Sequence, residues 1–179
     1  MSKTCVFMYG RMNPCHKGHG FVFDQALGLK NCSTDVKLFL SSSYDMERNP
    51  LPREMRQYFI SEFFPDISPS IQDVYVKNLF DIMKSLDGEY SDIIFVGGSD
   101  RTMDFKKVLD TYNGKEYNFD SIQTVLAGSD RQDSIFSSTY MRNSVLNNDF
   151  VSFKECIPGD NDKLKYEMYC AVQKHMGKI

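Results

Sequence analysis

Residues 4–19 read Thr4-Cys5-Val6-Phe7-Met8-Tyr9-Gly10-Arg11-Met12-Asn13-Pro14-Cys15-His16-Lys17-Gly18-His19. The first six form a short β-rich run, and a polar turn rich in Gly and Pro follows it. A helical pattern then begins directly, from Gly20 to Lys30. A strand that breaks into a polar, glycine-containing turn and re-forms as a helix opens an α/β domain. Ligands of such domains bind beyond the carboxyl ends of parallel strands, which is where this turn lies.

The pattern repeats outward from that stretch. Thr4–Tyr9, Val36–Ser41, Ile71–Val76, Ile93–Val96 and Ile122–Leu126 read as strands. Gly20–Lys30, Arg53–Phe64, Asn78–Leu86 and Arg101–Tyr112 read as helices between them, and Leu79, Ile82, Met83 and Leu86 have the spacing of one apolar helix face. Alternation of this kind predicts an α/β fold: a Rossmann-like, doubly wound sheet of five parallel strands with helices on both faces. Ser137-Ser138-Thr139 is a hydroxyl-rich start for a helix running to about Asn147, and Asp162–His175 is a last amphipathic segment. Residues 113–120 read as a loop. With no repeat or long linker, residues 1–179 are expected to form a single domain whose part 139–179 is helical.

Composition narrows the function classes. At 179 residues, 41% hydrophobic and 25% charged, the chain is an ordinary globular one. Fourteen Phe and ten Tyr with no Trp suggest an aromatic core. A net charge of −3 offers no general attraction to nucleic acid, so none is expected as a partner. No stretch approaches the ~20 apolar residues of a membrane helix, and none resembles an export signal. The five cysteines, Cys5, Cys15, Cys32, Cys156 and Cys170, are odd in number and include no C-x-x-C pair. That argues against a disulfide framework or a zinc ribbon and fits a reducing cytoplasm. An apolar stripe on the last helix would serve homo-oligomer contact or core packing alike.

Each residue type in the first turn has a physical use. Gly18 permits close approach, and a helix start directs N–H groups and a positive dipole end at an anion. His16 and His19, three residues apart, can reach one centre and donate hydrogen bonds to phosphoryl oxygens that gain charge during transfer. Arg11 and Lys17 add positive charge. Three other readings compete: a metal site, for which only His175 remains as a further histidine; a Cys15 nucleophile, which lacks an orienting partner; and a purely structural turn.

The segment His16-Lys17-Gly18-His19 resembles the H-x-G-H signature of the nucleotidyltransferase superfamily. The wider form, from Gly10 and Arg11 through Pro14 to His19, resembles archaeal-type nicotinamide mononucleotide adenylyltransferases and short bacteriophage enzymes. Cys15 stands where relatives often carry another residue. Ser137-Ser138-Thr139-Tyr140-Met141-Arg142 resembles the superfamily's second motif, I-S-S-T-x-x-R, with Phe136 in place of the leading Ile. Taken alone, it would be a helix cap.

The resemblance implies direct attack of an acceptor phosphate on the α-phosphate of a nucleoside triphosphate, with pyrophosphate released. His16, His19, Lys17 and Arg142 are the implied catalytic residues. Gly10, Arg11, Met12, Asn13, Gly18, Ser137, Ser138 and Thr139 are the implied nucleotide and phosphate contacts. Mg²⁺ is implied as an ion carried by the nucleotide, with no protein ligand. ATP is the expected donor and a phosphorylated small molecule the acceptor, nicotinamide mononucleotide first; cytidylyl transfer and a non-catalytic nucleotide-binding module are the alternatives.

Two further segments bear on the acceptor. Gly97-Gly98-Ser99-Asp100-Arg101 follows a strand, so Asp100 would meet a ribose or cap a helix, and Arg101 would meet a phosphate. Asn49-Pro50-Leu51-Pro52-Arg53 would shape a loop at the entrance, with Arg53 and Arg56 either touching acceptor phosphate or solvated. Gly128–Asp133 reads as a polar loop leading to the second motif.

Overall fold

Four stretches form the sheet of the computed structural model: β1 (Thr4–Gly10), β2 (Thr34–Leu40), β3 (Asp92–Gly97) and β4 (Ser121–Leu126). The structure describes residues 3–127 and 136–178, without the side chains of Ser99, Asp100, Arg101 and Met103. The expected polar loop at Gly128–Asp133 lies outside the described residues.

All strand pairs are parallel, in the order β2-β1-β3-β4, with Thr4 opposite Thr34 and Asp92. Central β1 buries Cys5, Val6, Phe7 and Met8 in succession, as a strand covered on both faces must. The strand order reverses direction between β1 and β3. By the general right-handedness of parallel crossovers, connections running in opposite directions from that point assign helices α1 (Lys17–Gly28) and α4 (Ser99–Tyr112) to opposite faces. This is the doubly wound α/β arrangement expected from the alternation of segments. On one face Cys5, Phe7, Phe39, Ile93 and Phe95 pack with Leu79, Ile82, Met83 and Leu86 of α3 (Leu79–Leu86). A capping box between Asn78 and Asp81 fixes where that helix begins.

Among the described residues the sheet has four strands rather than five. The fifth candidate, Ile71–Val76, joins the β2 edge by isolated bridges, from Ile71 to Leu38 of β2 and from Val76 to Ser41 just beyond it. Between those bridges the segment advances five residues while the edge advances three. The surplus has to bulge, which leaves Val74 and Tyr75 exposed and prevents a continuous ladder.

The chain divides into two compact units. One comprises Met1–Gly10, Phe21–Ser41 and Ser70–Asp130, and so holds the sheet, α3 and α4. The other comprises Arg11–Gly20, Ser42–Pro69 and Arg131–Ile179. It contains α2 (Arg53–Phe63), all but the last residue of a 3-10 turn at Pro65–Ser70, and the C-terminal helices α5 (Ser138–Leu146), α6 (Phe150–Glu155) and α7 (Asp162–His175). Helix α6 was not expected. It has only six residues, starts at an Asp149 cap, and buries Phe153 against Tyr169. Among the described residues no helix is long and apolar enough to cross a membrane.

Candidate functional site

The two sequence motifs meet inside the second unit. Helix α1 begins at Lys17, three residues earlier than the sequence suggests, so Lys17, Gly18 and His19 form its first turn and His16 directly precedes it. Ser138 Oγ donates to the Pro14 carbonyl at 2.8 Å. Arg142 Nη1 donates to the Asn13 carbonyl at 2.8 Å, and its Nη2 donates to Thr139 Oγ1 at 3.1 Å. Ser137 is the cap of α5, its hydroxyl accepting from the Tyr140 N–H at 3.0 Å.

The histidines are set by their own backbone. The Gly18 N–H donates to His16 Nδ1, and the His16 N–H donates to His19 Nδ1, each at 3.1 Å. A ring nitrogen that accepts from an N–H carries no proton, so in both neutral imidazoles the proton sits on Nε2. The two ring centroids lie 3.9 Å apart. Burial pushes the His16 pKa down to about 4. It holds His19 well below the usual histidine value as well, with His16 adding to the effect. At neutral pH the pair is therefore a set of uncharged N–H donors.

Glycine at position 18 has a steric cause. A Cβ there would stand 2.9 Å from Cε1 and Nδ1 of His16, so the imidazole occupies the space a side chain would take. The close approach expected of a ligand is made instead by His16. The expectation of unpaired N–H groups at the start of α1 is also corrected. The Lys17 N–H donates to the Cys156 carbonyl at 2.8 Å, the Gly18 N–H to His16, and the His19 N–H to the His16 carbonyl at 2.9 Å. The donors offered at this helix start are imidazoles. Lys17 Nζ lies over the Phe136 ring, 5.2 Å from its centroid.

Asn13 is fully buried and acts as a clamp. Its amide donates to the Leu51 carbonyl and its carbonyl oxygen accepts from the Leu51 N–H, both at 2.9 Å. Met12, with φ 47°, is buried beside it. Gly10 ends β1, where its carbonyl accepts from Ser41. Arg56 is neither solvated nor presented to a ligand. It is 1% exposed, and its guanidinium donates to the Arg11 carbonyl at 2.6 Å and to the Ser43 carbonyl at 3.5 Å. Arg53, the first residue of α2, is also buried, which removes the solvated reading of it.

Gly98, Asp100 and Arg101 belong to the first unit, at the end of β3. Gly98 is the N-cap of α4, and its carbonyl accepts from Thr102 Oγ1 at 2.7 Å. Asp100 therefore lies inside the helix rather than at its cap.

Sequence reasoning missed Arg48. Burial and the nearby Arg11 and Arg48 charges lower the Arg142 pKa, while Asp45 works in the opposite direction. The charges of Arg11, Arg48 and Asp45 are thus all felt at Arg142. Asp45 is held by N–H groups of Glu47 and Arg48 and by the Asn49 amide, which places Arg48 on a tight turn. The spacing Asp45-x-x-Arg48 is the signal that would have pointed to it. Among the described residues no group of three or more His, Cys, Asp and Glu side chains is placed to hold a metal ion.

These features define a class by fold: a Rossmann-like α/β protein with a histidine-bearing turn directly after its first strand. No family model matches the chain, and no curated protein matches its sequence. Solved structures do resemble it. One is a "putative nicotinate-nucleotide adenylyltransferase" from Vibrio parahaemolyticus, similar over 92% of this chain and 99% of that one, with a TM-score of 0.60 and 18% identity. Another is a macrolide-efflux protein from Streptococcus pneumoniae, similar over 87% of this chain and 55% of that one, with a TM-score of 0.52 and 17% identity. At these identities the likeness is one of fold, and two such different names on one fold leave function to the site.

Proposed function

We propose that the chain transfers a nucleoside monophosphate, AMP from ATP, to a phosphorylated small-molecule acceptor and releases pyrophosphate. The observation that carries this reading is the joining of the two motifs by Ser138 and Arg142, which sets neutral imidazole donors and a guanidinium on one short stretch of backbone. In this reading an acceptor phosphate oxygen forms a bond to the α-phosphorus while the bond to the α–β bridging oxygen breaks. No covalent intermediate with the enzyme is needed, so positioning and charge stabilisation carry the rate.

His16 and His19 donate Nε2–H bonds to α-phosphoryl oxygens, and Lys17 and Arg11 offset phosphate charge. Ser137, Ser138, Thr139 and Arg142 support the β- and γ-phosphates. Mg²⁺ prefers oxygen ligands, and the motif residues are imidazoles, cations and hydroxyls. They would suit an ion carried by the nucleotide's own phosphates, which would offset negative charge there when bound. The name of the Vibrio protein favours ATP as donor and a pyridine mononucleotide as acceptor, and nicotinamide mononucleotide is our first choice.

The test is to incubate the purified protein and Mg²⁺ with each nucleoside triphosphate and a panel of phosphorylated acceptors, identifying products by mass. A dinucleotide from ATP with pyrophosphate is the expected result. A product from CTP alone would move the reading to cytidylyl transfer. Nucleotide binding with no pyrophosphate from any pair would make the chain a binding module and overturn the proposal.

A further inference from the structure

The C-terminal end of α7 grips the loop that carries Arg48. Tyr44 Oη and His175 Nδ1 share a hydrogen bond at 3.2 Å, and their rings meet edge-on with centroids 6.2 Å apart. Two residues further along each segment, Met46 packs against Gly177. A Cβ at Gly177 would stand 2.7 Å from the mobile end of the Met46 side chain, and Gly177 has φ +69°, a backbone conformation that favours glycine. The tail is itself tied down, since the N–H groups of Met176, Gly177 and Lys178 donate to Val172, Lys174 and Gln173.

The gripped loop is short and closed. Asp45 and Asn49 exchange backbone hydrogen bonds at 3.0 and 3.2 Å, and the Asp45 carboxylate accepts from the Arg48 N–H at 2.6 Å. A turn so closed moves as a piece, so a displacement of Tyr44 or Met46 also displaces Asp45 and Arg48. The turn is tethered to the first motif on both sides, since Ser43 shares the Arg56 guanidinium with Arg11 and Leu51 pairs with the Asn13 amide; the charges of Asp45 and Arg48 are felt at Arg142 as well. We propose that Tyr44, His175 and Gly177 form a latch by which the C-terminal helix positions the Asp45–Asn49 turn for polyphosphate binding. The latch residues touch no substrate in this scheme; they act through Arg48. The proposal rests on the nucleotidyl-transfer reading for its ligand, and its test separates the two.

Inorganic tripolyphosphate binding, measured by calorimetry, needs no turnover. Tyr44→Phe and His175→Ala should each weaken it about three- to tenfold, the range of a lost hydrogen bond, and the double variant should be no worse than the weaker-binding single one. His175→Asn, whose amide offers a partner near the Nδ1 position, should restore most of the affinity. In the transfer reaction the same variants should raise KM for the triphosphate by the same factor and leave kcat unchanged. Unchanged affinity in Tyr44→Phe and His175→Ala, with an unchanged melting temperature, overturns the latch. A wild-type chain that binds tripolyphosphate but releases no pyrophosphate overturns the transfer reading while the latch stands or falls on affinity. A wild-type chain that does not bind tripolyphosphate overturns the latch, and the transfer reading then stands or falls on pyrophosphate release alone.

Discussion

Two helix starts carry the candidate chemistry, and they are built in opposite ways. At α1 the backbone N–H groups of Lys17, Gly18 and His19 are consumed by carbonyls and by an imidazole, and the groups offered are neutral, buried ring N–H donors. At α5 the cap comes from Ser137, and the group offered is the half-buried cation of Arg142, hydrogen-bonded to Asn13 and Thr139. An uncharged donor held rigidly adds little to ground-state attraction but strengthens as charge develops on the reacting oxygens. A guanidinium attracts polyphosphate before and after reaction alike. In the proposed transfer reaction, rate would then belong to the first helix start and binding to the second.

The largest expected effect breaks the comparison at α1. His19→Ala should lower kcat about 10²–10³-fold, the usual effect of removing one preorganised donor. His19→Asn sharpens the result, because its side-chain oxygen can still accept the His16 N–H while the Nε2 donor is gone. Both variants should be equally slow, with His19→Asn melting closer to the wild type than His19→Ala, which leaves the His16 N–H without its acceptor. If His19→Asn turns over like the wild type, the histidine only holds the turn and the donor role is wrong.

Nearly as large is the pH response that buried neutral imidazoles demand. His16 falls from an ordinary value of 6.5 to about 4 on folding, so between those values the unfolded chain binds the proton and the folded chain does not. Stability should accordingly decline as pH drops from 6.5 to 4, by about 3 kcal/mol for this one group. Denaturant unfolding at several pH values, for the wild type and for His16→Gln, isolates it: the wild type should lose more stability across that window. Parallel curves for the two proteins would show that His16 is not buried as a neutral ring. The carboxylates whose pKa values are lowered, such as Asp35 and Asp45, destabilise at still lower pH and affect both proteins alike.

At α5 the expected effect is smaller and of another kind. Arg142→Lys keeps a positive charge but loses the planar fork that reaches Asn13 and Thr139 together. KM for the triphosphate should rise about tenfold, the scale of one or two charge-assisted hydrogen bonds, while kcat changes little. A fall in kcat with constant KM would put Arg142 on the rate side and erase the contrast between the two helix starts.

Much of this was legible in the sequence, for reasons that also explain the exceptions. Strands β1 to β4 announce themselves as apolar runs bounded by polar turns, and both motifs sit where such runs end. Ile71–Val76 has the same apolar spacing, but a pattern of side chains cannot report two surplus residues that break a ladder. What joins the motifs was also hidden. Ser138 and Arg142 bind the backbone carbonyls of Pro14 and Asn13, more than a hundred residues away, and a carbonyl is the same at every position in a chain. The burial of Arg56 escaped notice for the same reason, since its partners are the carbonyls of Arg11 and Ser43.

Cys15 gives the smallest effect and the cleanest separation of neighbours in sequence. It stands beside His16, yet its thiol is fully buried and burial pushes its pKa up to about 12, so almost no thiolate exists at neutral pH. A nucleophile would need the opposite: exposure and a lowered pKa. Cys15→Ala should retain at least about half of wild-type kcat and lose about 1 kcal/mol of stability, as expected for removing one buried sulfur. Cys15→Ser is the less informative substitution, because it buries a hydroxyl that must find a partner. Loss of all turnover in a stably folded Cys15→Ala protein would move the chemistry from the imidazoles to the thiol, and the division of labour between α1 and α5 would then have to be drawn again.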